Sequence, residues 1–186
     1  FHTDAVQYIG KGPLNLSTTP VDLLSIGAHK FYGPKGIGIL FAKRGISMKP
    51  LLVGGGQEKG LSPGTENISL IAGMSKALDI AYNKMIENSE HIKGMERKFI
   101  HSLNDSNINY KINGFPRLSG IINVTFNDID GHDLLMNLDL RGIAISFGSA
   151  CSSGSAKASS ALLETGMLKE DAKKTVRISI GKFIKK

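Results

Sequence analysis

The stretch Ser25-Ile-Gly-Ala-His-Lys-Phe-Tyr-Gly-Pro-Lys-Gly-Ile-Gly38 restricts this chain more than any other, because Gly27, Gly33, Gly36 and Gly38 surround Pro34. Glycine and proline at that density stop a helix and force a turn. Residues 21–26 and 36–42 are apolar enough for buried strands, so Lys30 is expected on a strand-to-strand connection. Apolar Phe31 and Tyr32 beside it and cationic Lys35 nearby are expected to lower its amine pKa by desolvation and like charge, the condition for Schiff-base chemistry. The competing reading is a solvated surface lysine, the state of most lysines.

With 186 residues and 41% hydrophobic content, the chain suits one large domain or one and a half, with a real core. No apolar run approaches the roughly 18 residues of a membrane span, and no basic-then-apolar leader opens the chain, so a soluble protein without a membrane partner is expected. The chain opens on Phe1 rather than Met and starts in mid-element, which predicts a piece of something longer. A net charge of +7 raises nucleic-acid binding as a possibility. The charges are scattered, however, with the densest groups at Lys173-Lys174 and near Lys186, so no nucleic-acid partner is expected. The lone Cys151 excludes an internal disulfide and predicts a reducing cytoplasm.

Along the chain, residues 1–7 read as the tail of a strand entering a polar loop. Residues 54–67 are too rich in glycine for a helix and too poor in apolar residues for a strand, so they form an exposed or ligand-facing loop. From Ile68 to about Leu103 apolar residues recur at three-to-four spacing, predicting a long amphipathic helix that breaks near Asn88 or Gly94. That helix holds the expected domain boundary, which divides residues 1–85 from residues 86–186. A strand is expected at 109–112, an Asn113-Gly114 turn, and a strong alternating strand at 120–127. A helix at 133–140 ends at Gly142, a strand follows at 143–146, a helix at 158–164 stops at Gly166, and a strand at 175–180 closes the chain.

Three constellations carry chemistry. Cys151 sits in Ser146-Phe-Gly-Ser-Ala-Cys-Ser-Ser-Gly-Ser155, where small polar neighbours suggest a mobile arm bearing a nucleophile. A free cysteine without such context is usually a small buried hydrophobe. Asp4, about 26 positions before Lys30, is a carboxylate of the kind that keeps the pyridine nitrogen of pyridoxal phosphate protonated. The glycines of 54–64 can turn backbone amides toward a phosphate, and Thr65 adds a hydroxyl. Neither the Walker nor the Rossmann glycine spacing is present, and five scattered histidines with one cysteine give no metal-ligand pair at zinc spacing.

With these pieces assembled, the chain resembles the C-terminal half of a group I cysteine desulfurase, within the class V aminotransferase family of pyridoxal phosphate enzymes. The blocks that carry the resemblance are Thr3-Asp-Ala-Val-Gln7, Ala28-His-Lys-Phe-Tyr-Gly-Pro-Lys-Gly36 and Gly148-Ser-Ala-Cys-Ser-Ser153, with Gly54-Gly-Gly-Gln-Glu58 and Gly64-Thr-Glu-Asn67 between them. The lysine block indicates the fold family, and the cysteine block is the specific part.

The resemblance implies an α/β fold of the aspartate-aminotransferase type (fold type I): the C-terminal part of the large cofactor domain, then a small α+β domain carrying the cysteine loop. It implies that Lys30 holds pyridoxal 5'-phosphate as a Schiff base, Asp4 pairs with the ring nitrogen, Gln7 with the ring hydroxyl, and His29 helps hold the phosphate. Thr65 would reach the phosphate of a neighbouring subunit, so a homodimer is implied. Arg177 would grip the substrate carboxylate, which suits its bidentate fork. Cys151 would take the sulfur of L-cysteine as a persulfide, releasing L-alanine, for an iron-sulfur scaffold or another sulfur acceptor. Two positions depart from the family pattern: Gly27 stands where a phosphate-binding serine is usual, and Ser62 where an arginine is usual. The alternatives are another class V lyase such as a selenocysteine lyase, or a catalytically incomplete piece acting only as a folded interaction surface.

Overall fold

The computed structural model describes residues 1–148 and 158–185. By contact, these residues divide into two compact units, Phe1–Asn88 and Ser89–Lys186.

In the first unit, β1 (His2–Asp4) pairs in parallel with β2 (Leu23–Gly27), which pairs antiparallel with β3 (Gly38–Ala42). The central strand carries the burial: Leu24 is 1% exposed and packs with Ala5, Ile9, Val21, Ala28 and Phe31. Within the three described strands β3 lies last in the order and its burial alternates, with Leu40 turned outward. Helix α1 (Ile68–Asn83) starts where Asn67 caps it by accepting from Leu70 N at 3.1 Å. Its Met74 and Ala81 complete this core. The lack of a side chain at Gly73 lets Pro34 of the glycine loop rest on α1, since a Cβ there would lie 2.8 Å from Pro34 Cγ.

The helical stretch breaks earlier than its composition predicts. Lys84 separates α1 from α2 (Met85–Asn104), while Asn88 and Gly94 lie inside an unbroken helix. A single glycine costs a helix only about 1 kcal/mol, and packed Ile92 and Leu103 on α2 offset that.

The second unit is a four-stranded antiparallel sheet, β4 (Tyr110–Asn113), β5 (Ile121–Phe126), β6 (Ser146–Phe147) and β7 (Thr175–Ser179), in the order β4-β5-β7-β6. One face is apolar: Ile122, Val124 and Phe126 of β5 and Val176 of β7 are buried against Leu103. Glu96 of α2 is also buried, and it accepts from Arg117 Nη2 at 2.6 Å and Nε at 3.2 Å, and from Gly120 N at 2.8 Å. That clamp ties the helix to the segment entering β5, where Gly120 (φ +83°) has no room for a Cβ beside Ile180 O and Ile92. The β4–β5 connection runs from 114 to 120. Helix α3 (Gly131–Asp139) is capped by Asp130, and two five-residue helices follow, α4 (Ser160–Glu164) and α5 (Lys169–Lys173). The last is absent from the sequence expectations, because a single polar turn has no apolar periodicity to read.

Candidate active site

Two parallel strands end side by side in the first unit. Asp4 closes β1 opposite Ser25 of β2, and β2 runs on to Gly27 before the chain turns. The carboxyl ends of neighbouring strands are where open α/β sheets gather ligands.

The turn is a 3-10 helix, Ala28–Phe31. Residues three apart share a face in such a turn, so Ala28 and Phe31 are buried together while His29 is exposed and Lys30 half-buried. Ala28 N donates to Ile37 O at 3.2 Å and Gly33 N to Ala28 O at 2.9 Å, which fixes both arms. Gly38 pairs with Gly27 across the strands, and a Cβ at 38 would lie 2.6 Å from Ile26 O. Tyr32 leaves the turn at φ 67°, a left-handed conformation that costs a bulky residue about 1–3 kcal/mol. That strain sits two residues from Lys30, and no sequence signal indicated it.

Asp4 ends β1 on the same side, and Gln7 follows it three residues on. Asp4 Oδ1 accepts from Val6 N at 2.9 Å, which uses one of about four acceptor positions on the carboxylate. The ring of His29 lies over Gly27 beside Val6: a Cβ on Gly27 would meet His29 Cε1 at 3.3 Å and Val6 Cγ1 at 3.4 Å. Glycine at 27 thus gives the imidazole the space that a larger residue would contest. Gln7 Oε1 accepts from Lys11 Nζ at 3.2 Å. Burial, and secondly the charge of Lys30, hold the Lys11 ammonium below the usual lysine range. Asp4, Gln7, His29 and Lys30 are therefore gathered at one strand end, together with Lys11, which sequence reading passed over. The available signal was its place four residues after Gln7 in Gly10-Lys-Gly12.

Thr65 lies exposed in the glycine-rich loop, where Gln57 Oε1 accepts from Gly64 N at 3.3 Å. Among the described residues no hydrogen bond ties Thr65 to Asp4 or Lys30.

In the second unit, Arg177 projects from β7 on the polar face of the sheet. It is level with Asn123 of β5 on one side and Ser146 of β6 on the other, and Asn113 extends the same row. Its Nη2 donates to Ser146 Oγ at 3.0 Å. Asn113 Nδ2 donates to Asn123 Oδ1 at 2.9 Å and Thr125 Oγ1 at 2.8 Å, forming the floor of a cleft of about 660 Å³ that Lys111 and Arg177 also line. Cys151 lies outside the described residues. Among the described residues no group of three or more His, Cys, Asp or Glu could hold a metal ion, and no helix is long and apolar enough to cross a membrane.

A lysine-bearing turn stands beside a strand end that carries an aspartate, and the class-V aminotransferase family matches residues 1–186. The chain belongs to that family. Its relatives include the cysteine desulfurase IscS of Clostridium botulinum, 41% identical over 185 residues, which are 97% of this chain and 47% of that protein. Among solved structures, the NifS-like protein of Rickettsia africae is similar with a TM-score of 0.88 at 30% identity, covering 100% of this chain and 49% of that one. The protein SspA, solved in complex with cysteine, is similar with a TM-score of 0.75 at 33% identity, covering 98% of this chain and 50% of that one. The fold is thus the α/β aspartate-aminotransferase type, and members of this family use pyridoxal phosphate. The chain spans about half the length of the curated relatives it matches.

Proposed function

We propose that this chain carries the lysine and cysteine of a cysteine desulfurase, which in its complete form converts L-cysteine to L-alanine. Residues 1–85 are the C-terminal part of the large cofactor domain, and residues 86–186 are the small domain. The observation that carries the reading is the placement of Asp4 at the end of β1 and of Lys30 just beyond the end of the adjacent parallel strand β2.

The donor set fits pyridoxal phosphate. Asp4 supplies a carboxylate for the ring nitrogen, Gln7 a carboxamide for the ring hydroxyl, Lys30 an amine for the aldehyde and His29 an imidazole for the phosphate. When bound, the cofactor supplies an electron sink for charge developing on the substrate carbons. Lys30 binds the cofactor and moves protons at the substrate carbon through its Nζ, and the buried Ala28 and Phe31 on either side hold it in place. Arg177, on a rigid inner strand, orients the substrate carboxylate. Cys151 takes the sulfur. In balance, the enzyme thiol and L-cysteine give an enzyme persulfide and L-alanine: the substrate Cβ–S bond breaks, an S–S bond forms on Cys151, and Cβ gains a proton.

The reading extends to partners. Thr65 serves the phosphate of a second copy in a homodimer, and the persulfide passes to an iron-sulfur scaffold or another sulfur-acceptor protein. The cytoplasm, as a reducing compartment, keeps the lone thiol available.

Mass spectrometry of thiol-blocked peptides after turnover of L-cysteine by the complete enzyme tests the proposal. A persulfide on Cys151 with stoichiometric alanine is expected. Turnover of L-selenocysteine alone, with Cys151 unmodified, identifies a selenocysteine lyase instead.

A further inference from the structure

Lys11 has no part in the function proposed above, yet it is built into the same strand end. Ile9 is buried in the cluster that holds Ala28 and Phe31. Gly10 takes φ +76°, and a Cβ there would lie 3.2 Å from Phe31 Cβ and 3.0 Å from Ala81 Cβ, so this turn is seated directly on the residue that follows Lys30. Lys11 N and Gly12 N both donate to Tyr8 O, at 3.0 and 3.2 Å, closing the turn. The half-buried Lys11 side chain then reaches back one helical spacing to Gln7 Oε1. Burial and the nearby Lys30 both work against its charge.

An ammonium group only donates, whereas a carboxamide offers one acceptor end and one donor end that are nearly equal in shape. A lysine on Oε1 therefore chooses between the two orientations of Gln7. We propose that Lys11 is a positioning residue: by holding the Gln7 carbonyl oxygen, it turns the Gln7 amide NH2 outward as a hydrogen-bond donor to an anionic oxygen of the ligand that Asp4 and Lys30 take up. The inference rests on the cofactor site proposed above, where that oxygen is the ring hydroxyl in its deprotonated form. A donor held there stabilises the deprotonated form, so the bound cofactor loses its proton at a lower pH than it otherwise does.

The test is a pH titration of the visible band of bound pyridoxal phosphate in the complete enzyme, without substrate. It compares wild type, K11M, K11R, Q7L and the K11M/Q7L pair. Asp4, Tyr8, His29 and Lys30, the other titratable groups of this strand end, are common to all five and cancel from the comparison. K11M is expected to raise the midpoint by about one pH unit, a tenfold change in proton affinity. K11R, which keeps a donor on Oε1, is expected to restore most of the difference. In the Q7L background, K11M is expected to shift the midpoint by less than about 0.3 unit, because the group it acts through is gone.

An unchanged midpoint in K11M overturns the proposal. An equal shift with and without Gln7 also overturns it, since Lys11 then acts as a bare charge. K11A replaces K11M if the latter is not recovered folded. If wild type shows no band with pyridoxal phosphate, the cofactor reading of Lys30 falls and takes this proposal with it; a band whose midpoint ignores Lys11 leaves that reading standing.

Discussion

In residues 1–88 the side chains of the proposed site sit at or just beyond strand ends, with Asp4 closing β1, Gln7 beyond it, and His29 and Lys30 in the turn after β2. In residues 89–186 Arg177 sits in the middle of an inner strand, flanked on both sides by registered partners. The two units solve the problem of placement differently. A turn is held by what it buries on either side, here Ala28 and Phe31, and by glycines that let strands and loops approach closely. A strand is held by its ladder, so a residue on it inherits the rigidity of the whole sheet. Removing an anchor near the turn should therefore disturb cofactor chemistry, whereas removing one in the second unit should first cost stability.

The largest effect is expected at the turn itself. On the proposed function K30A removes the amine that binds the cofactor, so the visible band should be lost and turnover should fall by on the order of 10²–10⁴ from lost proton transfer alone. Retained turnover would sink the assignment of Lys30.

Next comes the second unit's clamp. E96A leaves Arg117 and Gly120 N without their acceptor, and Glu96 is only 7% exposed, so unfolding in urea should register a loss of about 3–5 kcal/mol. A cost below about 1 kcal/mol would mean that the sheet does not depend on this clamp.

The corresponding test in the first unit is G38A. Its new methyl group meets Ile26 O, and relief requires β3 to move off β2, at a cost of about 1–3 kcal/mol. The comparison is broken if G38A lowers stability but leaves the absorbance of bound pyridoxal phosphate unaltered, because the turn would then be independent of its strands.

Smaller still is S146A, which removes a hydroxyl that accepts from Arg177 Nη2. KM for L-cysteine should rise about three- to tenfold with kcat held, and S146T should recover most of it. A fall in kcat with KM unchanged would place Ser146 elsewhere in the reaction.

The slightest effect is a pH dependence. Folding lowers the Lys11 pKa, by burial first and by Lys30 second, so protonated Lys11 opposes folding. The opposition is complete below the folded value and fades as pH rises toward the ordinary value of 10.5. The stability of wild type relative to K11M, followed by thermal melts, should therefore rise from pH 8 to pH 10.5.

Much of this was legible in the chain. The Ile122, Val124, Phe126 alternation announces β5 because one face of an antiparallel sheet must be apolar, and the structure buries all three. The glycine-proline block announces the Lys30 turn for the same local reason, since few conformations are open to it. The break at Lys84 was not legible. Asn88 and Gly94 are weaker helix formers on propensity, and the helix nevertheless runs through both. Nor was the outward-facing Leu40 of β3 legible, for an apolar run does not say which of its side chains are covered.

The sequence by itself determined the local conformations and the chemical types: a lysine in a forced turn, an aspartate at a strand end and an arginine on an alternating strand. Only the tertiary structure decided who stands beside whom. It set β1 parallel to β2, so that Asp4 and the Lys30 turn share one end. It laid the His29 ring over Gly27, put Lys11 on the carboxamide of Gln7, and gave Arg177 its neighbour Ser146. The physical reason is one of range. Backbone sterics and hydrophobic periodicity act over a few residues and leave a mark in the sequence. Contacts between strands depend on pairing order and register across many residues, which the packing of the core selects.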